Sequence, residues 1–227
     1  MTRYFISGCN RGIGLGLTKE ALKNGHFVYG SCRNPDGERD LWELETDYED
    51  QFKILKMDVT DESSIEDAFK EVEAVDVLVN NAGVLEDYQE GISSLNFDLL
   101  EKSFNVNSIG PLRVTKHCLK ALEKSPLPKV LSISSELGSI SENASGNGYG
   151  YRASKTALNM LKKNMALEFP KMVCCVIHPG WVKTRMGGDN APTTVEESCK
   201  GIYKLCQELD LKDSGGFFNF KGEERPW

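Results

Sequence analysis

Histidine is scarce in this sequence, and its cysteines follow no pattern typical of a metal site or a disulfide framework. Three histidines occur, and none of the seven cysteines forms a Cys-x-x-Cys pair. Because zinc sites need clustered Cys and His ligands, no metal is expected. An odd cysteine count and the adjacent Cys174 and Cys175 suit reduced thiols, so we expect a cytoplasmic protein.

Basic residues are in the minority, and long apolar runs are missing. The 27 lysines and arginines stand against 34 aspartates and glutamates, for a formal net charge of -7. This balance argues against nucleic acid or an anionic membrane as a partner. No apolar run approaches the length of a transmembrane helix, and Gly8 comes too early for the apolar core of a signal peptide.

Short apolar runs alternate with longer amphipathic segments. The apolar runs are 4–6, 27–29, 52–55, 75–79, 130–133, 173–177 and 217–218, and the helical candidates are 13–23, 62–73, 98–123, 150–168 and 195–208. The alternation predicts an α/β fold with a parallel sheet covered on both faces, in one domain over 1–227. Irregular parts are expected at 33–51, 84–96, 138–149 and 185–194. Most of these follow strands, where an open parallel sheet has its ligand crevice.

The first apolar run leads into a glycine-rich turn, Ser7-Gly8-Cys9-Asn10-Arg11-Gly12-Ile13-Gly14. Glycines allow the backbone to approach a pyrophosphate, and the helix that follows offers free N–H groups at its start. The spacing is G-x3-G-x-G, unlike the G-x-G-x-x-G of other dinucleotide sites. A plain strand-to-helix turn is the alternative, but the position after the first strand favours a dinucleotide site.

Basic residues also stand at the end of the second strand. NAD sites usually have an acid here, which holds the ribose hydroxyls, whereas this chain has Cys32 and then Arg33. Arg33 together with Arg11 suits a 2′-phosphate, which predicts NADP rather than NAD. Two solvated surface arginines are the alternative. Asp58-Val59 ends the third strand, where a carboxylate suits either an adenine amino group or a turn cap.

The next three strands end in polar residues and glycines. Asn80-Asn81-Ala82-Gly83 follows the fourth run, and Gly83 permits backbone close to a ligand. Ser134 and Ser135 follow the fifth run, where a hydroxyl can donate to a substrate carbonyl. His178, before Pro179-Gly180, is more typical of a packed strand end than of a catalytic base.

Lys155 comes four residues after Tyr151, so the two side chains share a face if the segment is helical. A nearby ammonium favours the phenolate, so we expect a lowered pKa at Tyr151. Tyr149 lies close by but has no lysine four residues on. Asn107 lies inside a predicted helix although Asn is a poor helix former, so it is expected to bind water or distort the helix.

Together these features resemble the short-chain dehydrogenase/reductase family. The ordered set is Gly8, Gly12, Gly14, Asp58, Asn80 to Gly83, Asn107, Ser135, Tyr151, Lys155 and Pro179-Gly180. The resemblance implies a Rossmann-type, doubly wound, mostly parallel seven-stranded sheet with helices on both faces. The short length and the Gly-Phe-Phe-Asn-Phe…Pro-Trp ending resemble the C-factor/Sniffer-type carbonyl reductase branch.

The resemblance also implies an oxidoreductase that transfers a hydride between NADP(H) and a small carbonyl or alcohol substrate. Tyr151 is then the proton donor, Lys155 tunes it and holds the nicotinamide ribose, Ser135 orients the carbonyl, and Asn107 holds a water that links Lys155 to solvent. The implied cofactor-binding residues are Gly8, Asn10, Arg11, Gly12, Ile13, Gly14, Arg33, Asp58, Val59, Asn81, Ala82, Gly83, Tyr151, Lys155, Pro179, Gly180, Val182 and Thr184.

Two other function classes are considered. One is a dinucleotide-binding regulatory or signalling protein with little turnover, which would not need a proton donor. The other is a nucleotide-sugar epimerase or dehydratase, which usually has a larger substrate region than the roughly 45 residues after Thr184. By analogy, the helices in 98–123 and 150–168 would pair in a homodimer or homotetramer, and the loops 84–96, 138–149 and 185–200 would shape the substrate pocket.

Overall fold

The computed structural model describes residues 1–86 and 91–227. Within these ranges, seven strands alternate with seven helices. The strands are β1 (Arg3–Ser7), β2 (Phe27–Cys32), β3 (Phe52–Lys56), β4 (Val77–Asn80), β5 (Lys129–Ile133), β6 (Val173–His178) and β7 (Phe217–Asn219). The helices are α1 (Gly12–Lys23), α2 (Arg39–Asp47), α3 (Glu62–Phe69), α4 (Phe97–Phe104), α5 (Gly110–Leu122), α6 (Tyr149–Glu168) and α7 (Val195–Glu208).

The strands form one sheet in the order β3-β2-β1-β4-β5-β6-β7. Every neighbouring pair is parallel, with Ser7 beside Ser31 at the end of β1 and Asn80 beside Ser132 at the end of β4. This confirms the predicted seven-stranded, doubly wound sheet. Because the strand order reverses between β1 and β4, a crevice opens at the carboxyl ends of these two strands.

Apolar side chains cover both faces of the sheet. Leu17 of α1, Leu41 of α2 and Ile202 of α7 pack on one face, and Ile65 of α3 and Val114 of α5 pack on the other. Fully burying a side chain of this size contributes about 1.5–3 kcal/mol. The two apolar layers hold the strand ends at fixed positions, and the loops that follow those ends build the site.

Two expectations about the helices are wrong. The segment 33–51 is not irregular, because it contains a short turn at Pro35–Gly37 and then α2. The nine residues of α2 bury only Leu41 and Leu44, too few for a clear helical period. The segment 98–123 is not one helix, since a π-helical turn over Asn105–Ile109 separates α4 from α5. Residues 87–90 of the predicted loop 84–96 lie outside the described residues.

No helix within residues 1–86 and 91–227 is both long enough and apolar enough to span a membrane.

Candidate active site

A cleft of about 1200 Å³ lies at the carboxyl ends of the strands. It contains most of the cofactor-binding residues predicted from the sequence: Gly8, Asn10, Arg11, Gly12, Ile13, Arg33, Asp58, Val59, Asn81, Ala82, Gly83, Tyr151, Lys155, Pro179 and Thr184. The residues that line the cleft do not include the other predicted ones, which are Gly14, Asn107, Ser135, Gly180 and Val182. Residues that were not predicted also line it, among them Glu38, Val84, Asn105, Ser134 and Lys183.

The glycine-rich turn is shaped so that side chains are excluded from it. Gly8 has a φ of +70°, in the left-handed region that glycine favours. A Cβ on Gly14 would lie 2.1 Å from the carbonyl oxygen of Gly8. Arg11 is the residue before the first turn of α1 and makes no side-chain capping hydrogen bond, so the first N–H groups of that helix stay available. This cradle fits a phosphate-bearing group.

A hydroxyl and an amide join the glycine-rich turn to the end of β4. Ser7 Oγ accepts hydrogen bonds from the backbone N–H groups of Asn81 and Ala82, at 3.1 and 3.2 Å. Asn81 Nδ2 donates to the carbonyl oxygens of Ser7 and Gly8, at 2.9 and 3.1 Å. Ser7 was not among the predicted site residues, although a hydroxyl at the end of the first strand is the signal that could have indicated this link.

Two arginines lie along the cleft beside the glycine-rich turn and the end of β2. Arg11 and Arg33 are both exposed and line it, and neither forms an ion pair within 1–86 and 91–227. Asn10 Nδ2 donates to Glu38 Oε1 at 2.6 Å, which joins the turn to the start of α2. Asp58 Oδ1 accepts from the N–H and the hydroxyl of Thr60, at 2.8 and 2.7 Å. Asp58 therefore caps a turn while it lines the cleft.

Tyr151 and Lys155 lie together on the buried face of α6. Lys155 Nζ is 5.8 Å from the centroid of the Tyr151 ring and donates to the carbonyl oxygen of Ile133 at 2.8 Å. Ser135 is near enough to Tyr151 to lower the pKa of the phenol, and its Oγ accepts a hydrogen bond from the N–H of Leu137 at 3.1 Å. Ser134 Oγ instead donates to Asn159 Oδ1 at 2.6 Å. The hydroxyl of Ser134 is thus engaged with Asn159, and Ser135 is the serine that affects the ionisation of Tyr151.

Burial controls the ionisation of this pair. It raises the pKa of Tyr151 to about 12, and the neighbouring Ser135 hydroxyl acts in the opposite direction. Burial also lowers the pKa of Lys155 to about 8. The expectation that Lys155 lowers the pKa of Tyr151 is wrong for this structure. Desolvation disfavours both the phenolate and the ammonium, and the lysine amine is directed at the Ile133 carbonyl.

Asn107 lies in the π-helical turn and is fully buried. Its Oδ1 accepts from the N–H of Val84 at 2.9 Å, and its Nδ2 donates to the carbonyl oxygen of Val84 and to Ser154 Oγ, both at 3.0 Å. A Cβ on Gly83 would lie 3.3 Å from Asn107 Oδ1 and 3.6 Å from Lys155 Nζ. The Asn107 side chain, carried by a distorted turn of helix, therefore fixes the backbone at Gly83 and Val84, next to Lys155.

The loop after Ser135 is held from two sides. His178 Nδ1 accepts from the N–H of Glu136 at 3.1 Å, and burial lowers the pKa of His178 to about 4. His178 is therefore neutral and hydrogen-bonded, as expected for a residue packed at the end of a strand. Arg225 Nη2 donates to both carboxylate oxygens of Glu142, at 2.7 and 2.8 Å. Arg225 was not among the predicted site residues, because it stands 83 residues from its partner in the sequence.

The matches with known proteins agree with this geometry. The family model described as short chain dehydrogenase matches residues 3–194, so the chain belongs to the short-chain dehydrogenase family of oxidoreductases. This confirms the resemblance identified from the sequence. C-signal of Myxococcus xanthus is 38% identical over 155 residues, which are 67% of this chain and 93% of C-signal.

Two solved structures have closely similar folds. Carbonyl reductase Sniffer of D. melanogaster is 31% identical, with a TM-score of 0.94 and full coverage of both chains. An NADPH-bound carbonyl reductase from chicken fatty liver is 32% identical, with a TM-score of 0.94 over 100% of this chain and 99% of that chain.

Proposed function

We propose that this protein is an NADP(H)-dependent reductase of small carbonyl compounds, or a dehydrogenase of the corresponding alcohols. The observation that carries the proposal is the grouping of Ser135, Tyr151 and Lys155 beside the cleft that begins at the glycine-rich turn. The similarity to the NADPH-bound chicken enzyme supports both the cofactor and the substrate class.

The residues of the cleft fit NADP along its length. The turn from Gly8 to Gly14 and the start of α1 would hold the pyrophosphate. Arg11 and Arg33 would hold the 2′-phosphate, since neither is engaged in an ion pair within the described ranges. The remaining predicted contacts are Asn10, Ile13, Asp58, Val59, Asn81, Ala82, Gly83, Tyr151, Lys155, Pro179, Gly180, Val182 and Thr184. When bound, NADPH supplies the hydride that reduces the carbonyl carbon.

The protein's part in the reaction is the movement and stabilisation of a proton. With a pKa of about 12, Tyr151 is protonated at neutral pH and can donate from its hydroxyl to the carbonyl oxygen as that oxygen becomes an alcohol. Ser135 would hydrogen-bond the same oxygen and hold the substrate in place. Lys155, mostly charged at neutral pH with its pKa of about 8, would hydrogen-bond the nicotinamide ribose and so hold the cofactor beside Tyr151. Asn107 would hold the water through which Lys155 exchanges its proton with solvent.

The test is NADPH oxidation, followed by absorbance, across a panel of aldehydes, ketones and quinones. We expect turnover with at least one compound class and little with NADH. No turnover with any compound, although NADPH binds tightly, would contradict the proposal.

That outcome would favour a second candidate, a dinucleotide-binding signalling protein with little turnover. The similarity to the protein named C-signal favours this alternative. Turnover at rates typical of enzymes, about 1 s⁻¹ or more with a good substrate, would argue against it.

We also propose that the protein assembles as a homodimer or homotetramer and is located in the cytoplasm. Met160 and Leu167 of α6 are 62% and 74% exposed, and Leu112 of α5 is 40% exposed. Burying these exposed apolar side chains between subunits would stabilise a homodimer or homotetramer. Sedimentation equilibrium would test the proposed assembly, and a monomer would contradict it. The seven cysteines are free thiols, which suits the proposed cytoplasmic location.

A further inference from the structure

Two neighbouring thiols lie at the end of the cleft where Arg11 and Arg33 are found. Cys9 follows Gly8 in the glycine-rich turn, and Cys32 is the last residue of β2. Ser7 and Ser31 are register partners in β1 and β2, and the N–H of Cys9 donates to the carbonyl oxygen of Ser31 at 3.1 Å. The backbone therefore places the two cysteines at the same level of neighbouring chain segments.

The two side chains also lie on the same face of the sheet. Cys9 Sγ is 2.9 Å from the position that a Cβ on Gly30 would take. Since side chains alternate along a strand, Cys32 projects from β2 on the same side as Gly30. Cys9 and Cys32 belong to the same apolar layer. By contrast, the sequence neighbours Cys174 and Cys175 project into opposite layers and face away from each other.

The two thiols are chemically unequal. The neighbouring Cys9 thiol is the main cause that lowers the pKa of Cys32, and the Cys32 thiol is the main cause that raises the pKa of Cys9. Cys32 lines the cleft, whereas Cys9 is fully buried behind it. The more acidic thiol is therefore the one that a small reagent in the cleft can reach.

We propose that Cys9 and Cys32 form a peroxide-reactive pair that closes to a disulfide and weakens binding of the 2′-phosphate end of NADP. The Cys32 thiolate attacks one oxygen of hydrogen peroxide. The O–O bond breaks, hydroxide leaves and takes up a proton, and Cys32 becomes a sulfenic acid. Cys9 sulfur then attacks the Cys32 sulfur, the S–O bond breaks, and the Cys9 proton leaves with the hydroxide as water. Two thiols are oxidised, and one peroxide is reduced to two waters.

The effect on the cofactor rests on the proposed function. Cys32 directly precedes Arg33, and Cys9 lies between Gly8 and Asn10 of the glycine-rich turn. A bond between the sulfurs must draw the turn and the end of β2 together, because thiols in contact are farther apart than the roughly 2 Å of a disulfide. Both segments carry groups assigned here to NADP. Bound NADP would cover Cys32 and slow its oxidation.

The pair is tested by treating the whole purified protein with hydrogen peroxide, blocking free thiols, digesting it and mapping the peptides by mass spectrometry. We expect a Cys9–Cys32 cross-link that dithiothreitol reverses and that forms more slowly with saturating NADP. Cys32→Ser should abolish it, and Cys9→Ser should leave a Cys32 sulfenic acid that dimedone traps. Cys118→Ser, on the opposite face of the sheet, is the matched control and should leave the cross-link intact.

A wild-type protein in which Cys32 oxidises without joining Cys9, or pairs with another cysteine, would overturn the proposal, and this result needs no variant to fold. NADP titration provides the second measurement, and we expect at least tenfold weaker binding after oxidation. An unchanged affinity would overturn the effect on the cofactor. If the reduced protein does not bind NADP, the proposed function fails, while the cross-link still decides whether the pair exists.

Discussion

Lys155 donates a hydrogen bond from Nζ to the carbonyl oxygen of Ile133, over 2.8 Å, and so fixes α6 to the carboxyl end of β5. The helix comes this close because the loop after Ser135 carries Gly138, where a Cβ would lie 2.9 Å from the Cβ of Lys155. The same approach buries the lysine and lowers its pKa to about 8. The proton chemistry proposed for Tyr151 therefore depends on packing between one loop and one helix.

Replacing Tyr151 with Phe keeps the ring and removes the proposed proton donor. We expect turnover to fall by about 100-fold or more, the usual contribution of a general acid. NADP affinity should change little, because most of the assigned contacts remain. Tyr149→Phe is the matched control, since Tyr149 is 43% exposed, and it should retain activity. Steady-state kinetics and a cofactor titration make the measurement, and full activity in Tyr151→Phe would refute the mechanism.

Replacing Arg33 with Ala tests the choice between NADP and NAD. A hydrogen bond to a charged group is worth about 1.5–3 kcal/mol, so NADP should bind about 10- to 100-fold more weakly. NAD affinity should be nearly unchanged, because NAD lacks the 2′-phosphate. Arg39→Ala is the control, since Arg39 is 89% exposed in its side chain and pairs with Glu43. An equal loss of affinity for NADP and NAD in a fluorescence titration would show that Arg33 does not bind the 2′-phosphate.

Replacing Gly14 with Ala tests the close packing under the glycine-rich turn. The added methyl would lie 2.1 Å from the Gly8 carbonyl oxygen, so the turn must shift. We expect a loss of about 1–3 kcal/mol in the free energy of unfolding and weaker NADP binding. Gly37→Ala is the control, because a Cβ there has no neighbour within 4 Å. Urea unfolding measures the difference, and equal stability of the two variants would contradict the role given to Gly14.

Replacing Lys162 with Met should stabilise the protein at neutral pH. Lys162 is 2% exposed, its Nζ lies 3.7 Å from Met165 Sδ, and burial lowers its pKa from 10.5 to about 8. The amine of Lys162 thus binds its proton less tightly in the folded state than in the unfolded chain. Below pH 8 this amine is charged although it is buried, and the charge lowers the free energy of unfolding. We expect the variant to gain on the order of 1–3 kcal/mol at pH 7.

The sign of the pH dependence distinguishes this effect from simple packing. Between about pH 8 and 10.5 unfolding of the wild type takes up a proton, so wild-type stability rises with pH and the variant's advantage shrinks. Urea unfolding at pH 7 and pH 10 measures it, with exposed Lys19→Met as the control. An advantage that does not change with pH would rule out the buried charge as its cause.

Much of the site could be predicted because its parts are local in sequence. The spacing of Tyr151 and Lys155 needs only helical geometry, and the turn from Gly8 to Gly14 needs only a strand before it and a helix after it. Helix α2 was missed because its two buried leucines are too few to show a period. The π-helical turn at Asn105–Ile109 was missed as well, although Asn107 indicated a distortion there.

The sequence by itself determined the α/β class, the glycine-rich turn and the family's order of site residues, because each depends on residues close together in the chain. Only the tertiary structure decided that Ser134 donates to Asn159 and that burial raises the pKa of Tyr151. The pairing of Arg225 with Glu142, 83 residues away, was likewise decided there. Such contacts and pKa values depend on how distant segments pack and exclude water, and no local pattern specifies that packing.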